Sequence, residues 1–218
     1  MMHATVLFCG VMFAPDAEVV RVVNVVPEDL KPLASLPRLR ELRIDWTNPH
    51  ESPRGLPFDL GPLAHLDHLE VIALAKMPVR DLTPLHGLVR LRELNVGGTQ
   101  VRDLSPLTGL RELQVLALSW TRVHDLGPLR SAERLTKLNI TQTQVEDLSP
   151  LAGLGALEEL QMADTRVRDL GPLHHLRHLK RLDITNTPVA ASAVAALRAA
   201  NPGLEIVGAP SGKTRHKQ

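Results

Sequence analysis

The sequence predicts an α/β solenoid: a right-handed coil in which short parallel strands and short helical turns alternate. Three observations carry this expectation. The dipeptide Asp-Leu falls at 59, 81, 103, 125, 147 and 169, in steps of 22 residues. Leucine supplies 39 of the 218 residues, whereas only five are aromatic (Phe8, Phe13, Trp46, Phe58 and Trp120). Such a core is one small aliphatic packing unit used repeatedly, not a set of large rings filling irregular space. Around Leu94-Asn95-Val96, finally, apolar and polar residues alternate as in a half-buried strand.

At the amino-terminal end, residues 1–28 are expected to form a cap and a first atypical coil. Residues 4–13 offer an edge strand that would close the open core. Val20-x-x-Val23-x-Val25 has the strand spacing of the later units. Residues 29–190 then hold seven repeats. Each has a strand half, Leu91-x-x-Leu94-x-Val96-x-x-Thr99-x-Val101, recurring from Leu113, Leu135, Leu157 and Leu179, with weaker copies at Leu69 and Leu39. Stacking one strand per coil makes a parallel sheet with neighbours about 4.8 Å apart. The other half follows Asp-Leu-x-Pro-Leu, as in Asp103-Leu104-Ser105-Pro106-Leu107, with a seventh copy at Asp29-Leu30-Lys31-Pro32-Leu33. Proline suits the first position of a helical or 3₁₀ turn, and the Ser, Thr or Gly before it in six copies suits an N-cap. The aspartate is expected to cap the turn before it.

The first unit is eight residues longer than the others, and the excess lies at about 46–57, where Pro49, Pro53, Gly55 and Pro57 predict a loop. Residues 191–209 are expected to be a capping helix, started by Ser192 and stopped at Asn201-Pro202-Gly203, then a last strand at Leu204–Val207. Residues 210–218 read as a disordered basic tail.

These strand and turn motifs resemble the leucine-rich-repeat family, and the 22-residue unit with D-L-x-P-L is most similar to its internalin and phosphatase-regulatory-subunit types. The resemblance implies a parallel sheet on the concave side, short helical or 3₁₀ turns on the convex side and capped ends. It implies protein recognition by the concave face, in a module that is not an enzyme. It also implies two alternatives, a regulatory subunit or inhibitor of an enzyme and an exported internalin-like surface adhesin. One departure stands out: threonine fills the family's asparagine slot in six of seven copies (47, 99, 121, 143, 165, 187), with Met77 in the other. Threonine has less reach than asparagine for the bonds that ladder along a stack.

Composition excludes several other functions. A net charge of +1 gives no global field for nucleic acid or an acidic membrane. The single cysteine, Cys9, excludes an internal disulfide framework and a multi-cysteine zinc site. The apolar stretch Ala4–Ala14 is eleven residues, too short to span a bilayer, and no Lys or Arg precedes it. A cytoplasmic, monomeric protein without cofactors is expected. His174, His175 and His178 fall between repeat leucines of the outer segment, where a solvated face is expected rather than converging metal ligands. No Ser-His-Asp set, Gly-rich phosphate loop or H-E-x-x-H motif suggests catalysis.

The exposed side of the sheet is therefore the candidate site. Its first half is small and partly apolar, and a shallow floor is expected at Val71, Ala73, Ala75, Gly97, Gly98, Val115, Ala117 and Ser119. Glu93 and Asn95 would give polar contacts, Lys137 and Arg43 rim charges. Trp46 and Trp120 take the same place in their units, at the strand exit, and would flank the floor. Exposed tryptophan is enriched at interface hot spots.

Overall fold

The computed structural model describes residues 5–24, 29–45 and 58–209. Its strands are β1 (Val6–Phe8), β2 (Val11–Phe13), β3 (Val19–Val23), β4 (Glu41–Asp45), β5 (Val71–Ala73), β6 (Glu93–Asn95), β7 (Val115–Ala117), β8 (Lys137–Asn139), β9 (Glu159–Gln161), β10 (Arg181–Asp183) and β11 (Glu205–Val207), with one helix, α1 (Ala191–Ala200), before the last. Strands β3 to β11 form one parallel sheet in sequence order. In register across it lie Leu42, Ile72, Leu94, Leu116, Leu138, Leu160 and Leu182, all buried. Each aliphatic side chain thus meets its counterparts in the coils above and below. The result is one continuous core from Phe8 to Leu204.

Opposite the sheet run short 3₁₀ turns at Lys31–Ser35, Gly61–Leu63, Thr83–Leu85, Ser105–Leu107, Gly127–Ser131, Ser149–Leu151 and Gly171–Leu173. Their chemistry differs from the expectation. The leucine of Asp-Leu, not the residue before proline, occupies the N-cap and makes no side-chain cap bond. The aspartate serves the turn that follows it. In all seven copies its Oδ1 accepts the backbone N–H two residues on, at 2.7–2.9 Å, as in Ser105 N to Asp103 at 2.8 Å. The residue before proline, small in every copy but Lys31, closes this Asx turn. A Cβ on Gly61, Gly127 or Gly171 would lie 3.0 Å from the aspartate oxygen. Ser105 and Ser149 add a hydroxyl bond to the second oxygen, both 2.7 Å.

The threonine slot is also more local than the family's asparagine ladder. Thr99, Thr121, Thr143, Thr165 and Thr187 donate to the carbonyl three residues back in their own coil, at 2.7–2.8 Å. The shorter side chain satisfies its own turn, and the ladder between coils is left to backbone, for example Arg122 N to Val101 O at 2.9 Å.

Both ends depart in detail from the reading. Residues 6–13 do not extend the main sheet. β1 and β2 form a separate antiparallel hairpin beside the first 3₁₀ turn, with Phe8 plugged into the core. Its two-residue turn, Cys9-Gly10, has φ of 53° and 76°, the mirror-image turn whose twist suits a hairpin. Burial pushes the Cys9 thiol up to about 11. At the other end Ser192 lies inside α1, because the helix starts from an uncapped Ala190. Val194 and Leu197 of α1 are buried, and the helix packs on the turn at Gly171–Leu173. The expected loop at 46–57, Trp46 and Thr47 within it, part of the first coil at 25–28, and the tail at 210–218 lie outside the described residues. Among the described residues no helix is long and apolar enough to cross a membrane.

Candidate functional site

Strand β3 and each of β5 to β10 leave the sheet through a residue in the left-handed region. Asn24, Lys76, Gly98, Trp120, Gln142, Asp164 and Asn186 have φ between 55° and 71° and hold equivalent places in successive coils. This kink turns the chain off the sheet while its N–H still reaches the next coil. Lys76 N bonds Gly97 O at 2.7 Å, Gly98 N bonds Ser119 O at 2.7 Å, and Trp120 N bonds Thr141 O at 2.9 Å. Glycine and asparagine suit such a slot; a large ring does not. Trp120 nevertheless occupies it at φ 60° and is 63% exposed. Left-handed backbone costs a residue with a Cβ about 1–2 kcal/mol. That strain brings no core packing in return.

In front of Trp120 the concave face sinks into an open hollow of about 720 Å³. Its walls are Ala75, Lys76, Asn95, Gly97, Gly98, Ala117, Ser119, Trp120 and Asn139. Gly97 is tied to this shape: a Cβ there would lie 2.9 Å from Ser119 Oγ. Asn95 Oδ1 accepts Gly97 N–H at 3.0 Å, and Asn139 Oδ1 accepts Thr141 N–H at 2.9 Å. Each bond fixes its amide, leaving the NH₂ group unused by the protein. Ala75, Gly97, Gly98, Ala117 and Ser119 of the expected floor come together here with Asn95 and Trp120. Lys76 and Asn139 were not among the expected residues. The period would have found Asn139, since it sits at the register of Asn95 two strands along.

The rest of the expected floor is built differently. Arg43 on β4 reaches across β5 to Glu93 on β6, in a two-pronged pair with both contacts at 3.0 Å. Small residues on β5 are what let it cross, and Ala73 beneath is only 3% exposed. Ala73 is therefore covered and Glu93 already engaged, so neither is open floor. Val71 and Val115, in register on either side of Glu93, are only partly exposed. Arg43 also donates to Glu41 at 2.8 Å, and Arg21 to Glu41 at 2.6 Å. Lys137 is likewise not a free rim charge; it pairs with Glu159 at 2.9 Å, which raises its pKa. A further hollow of about 530 Å³ on the flank after the strands is charged, lined by Glu146, Arg166, Arg168 and Asp169 among others. There Arg166 and Glu146 pair with each other at 3.4 Å.

The arginine clasp should make the protein acid-sensitive. Burial would raise the Glu41 carboxyl, but hydrogen bonds from Arg43 and Arg21 hold it below its ordinary 4.5. Between those two values the unfolded chain binds the extra proton, so the stabilisation is whole above about pH 4.5 and fades as pH falls through the lowered value. Asp103 and Asp147 are lowered too, by hydrogen bonds from Ser105 and Ser149, and add the same sign. The melting midpoint is expected to fall from pH 7 towards pH 3, and to fall less in Glu41→Gln. Equal acid sensitivity in both proteins would show that this carboxylate contributes nothing.

No family model matches the sequence, and no curated protein matches it. Solved structures do. Internalin C2 of Listeria monocytogenes aligns over 87% of this chain and 80% of its own, at TM-score 0.77 and 26% identity. The chain is a leucine-rich-repeat solenoid. A second Listeria internalin, InlF, covers 91% of the solenoid and 63% of its own chain, at TM-score 0.70 and 21% identity. A leucine-rich-repeat protein of Leptospira interrogans covers 81% and 50%, at TM-score 0.68 and 20% identity. Among the solenoid's described residues no group of three His, Cys, Asp or Glu side chains is placed to hold a metal ion. His175 and His178 are exposed; His174 is half-buried, with its Nε2 unpartnered against the core.

Proposed function

We propose that this solenoid is a non-catalytic recognition module that binds a protein partner through its concave face, at the hollow beside Trp120. The observation that carries the proposal is Trp120 itself. A large ring held out on left-handed backbone, beside a hollow floored by alanine and glycine, offers area and rigidity to a protruding group. In this reading the array of seven repeats at 29–190 presents the face, residues 1–28 and 191–209 close its ends, and a monomer acts in the cytoplasm.

The test begins with affinity capture from the host and mass spectrometry to obtain a partner. Trp120→Gly and Ala117→Arg should then each weaken binding tenfold or more, a loss of about 1.4 kcal/mol. Trp120→Gly should leave the melting midpoint unchanged or higher, because glycine relieves the backbone. Arg181→Ala, at the far end of the face, should bind within about twofold of the parent. Normal binding by both central variants, with loss in Arg181→Ala, overturns the placement.

A second reading, an exported surface adhesin, is favoured by the likeness to internalin C2 over most of both chains. Fractionation of the host separates the two: recovery at the cell surface supports export, recovery in the soluble lysate the cytoplasmic reading.

A further inference from the structure

The hollow has a one-sided chemistry. Among the described residues that line it there is neither aspartate nor glutamate. The side chains they present can donate: the Asn95 and Asn139 amides and the Ser119 hydroxyl. The amide orientation is imposed by the fold. Asn95 Oδ1 and Asn139 Oδ1 are held by the backbone N–H groups of Gly97 and Thr141, so nitrogen faces outward at both. Asn95 and Asn139 lie in register with Ala117 between them, which opens space for a group approaching from above. Glu93, two residues before Asn95 on the same strand, is already paired with Arg43. Two fixed outward NH₂ groups and a hydroxyl that can turn to donate match an acceptor-rich group such as a carboxylate.

We propose, resting on the concave-face reading above, that this hollow receives an aspartate or glutamate side chain on a protruding loop of the protein partner. The carboxylate accepts from the Asn95 and Asn139 amides and the Ser119 hydroxyl, and the aliphatic part of the loop lies against Trp120. Such charge-assisted bonds are the strong class of hydrogen bond.

The fold itself supplies a clean substitution. Asp183 occupies the register position of Asn95 and Asn139 two strands beyond Asn139, and its Oδ1 accepts Thr185 N–H at 2.9 Å in the same Asx turn. Asn95→Asp and Asn139→Asp therefore keep the local bond and replace the outward NH₂ by a charged oxygen.

The experiment pans a random twelve-residue phage-displayed peptide library on the full chain. Peptides are eluted, synthesised and titrated against the Trp46→Phe variant, in which Trp120 alone reports by fluorescence. Peptides enriched in aspartate or glutamate, whose binding shifts Trp120 emission and weakens at least tenfold in Asn95→Asp and Asn139→Asp, are expected. Peptides that bind at Trp120 but carry no acidic enrichment, or ignore both substitutions, overturn this inference and leave the concave-face reading standing. Peptides that bind without changing Trp120 emission, and survive Ala117→Arg, overturn the concave-face reading as well. An array of uronate- and sialate-bearing oligosaccharides is run alongside. Binding there that depends on Trp120, with no peptide selected, assigns the hollow to acidic sugars and overturns the proposal.

Discussion

Leu138→Ala is expected to destabilise the protein by about 2–5 kcal/mol. Leu138 is 1% exposed and stands in register between Leu116 and Leu160, so its removal leaves a void that both neighbours line. Coils here are stable only through their neighbours, and a defect in the middle weakens two interfaces at once. Urea unfolding followed by circular dichroism measures the loss. His86→Ala, on the exposed outer segment, is the control and should stay within about 0.5 kcal/mol. Similar losses from both would mean that inward and outward positions have been confused.

Gly208→Val should be nearly as costly, but locally. Gly208 has φ 74°, and a Cβ there would lie 2.4 Å from Thr185 Cα and 2.5 Å from Thr185 N. Backbone cannot move aside as a side-chain tip can. With the left-handed strain of a β-branched residue added, the cost is about 3–5 kcal/mol. The last strand should come away from β10, and with it the bond from Ile184 N to Val207 O, 3.0 Å in the intact protein. Hydrogen exchange is the decisive measurement: the Ile184 amide should lose protection while those of Val96 and Leu118 keep theirs. Unchanged protection at Ile184 would refute the expected clash.

The period, the in-register leucines and the convex turns are legible in the sequence because a single coil cannot bury its own apolar face, so the pattern must repeat. The direction of the aspartate bond is not. Asp-Leu-x-Pro-Leu reads equally well as a cap on the preceding or following turn, and only backbone geometry separates them. The left-handed column is harder still. Asn24, Lys76, Gly98, Trp120, Gln142, Asp164 and Asn186 share no side-chain chemistry, since what the position demands is a backbone angle. Five of the eight floor residues are legible as small residues at strand-facing positions. The Arg43–Glu93 clasp that covers Ala73 joins residues 50 apart on strands that do not touch, which no nearest-neighbour reading of the repeat would find.

That clasp has a mechanical consequence. Side-chain ties in the later coils, such as Lys137–Glu159 and Lys180–Glu158, link each coil to the next, 22 residues away. A chain pulled by its ends could break these in turn, unwinding coil by coil like a spring paid out from its far end. Arg43 instead rivets the coil of β4 to that of β6 with β5 trapped between. Under load those three coils are expected to give way together, which would make the amino-terminal part of the spring its stiff end.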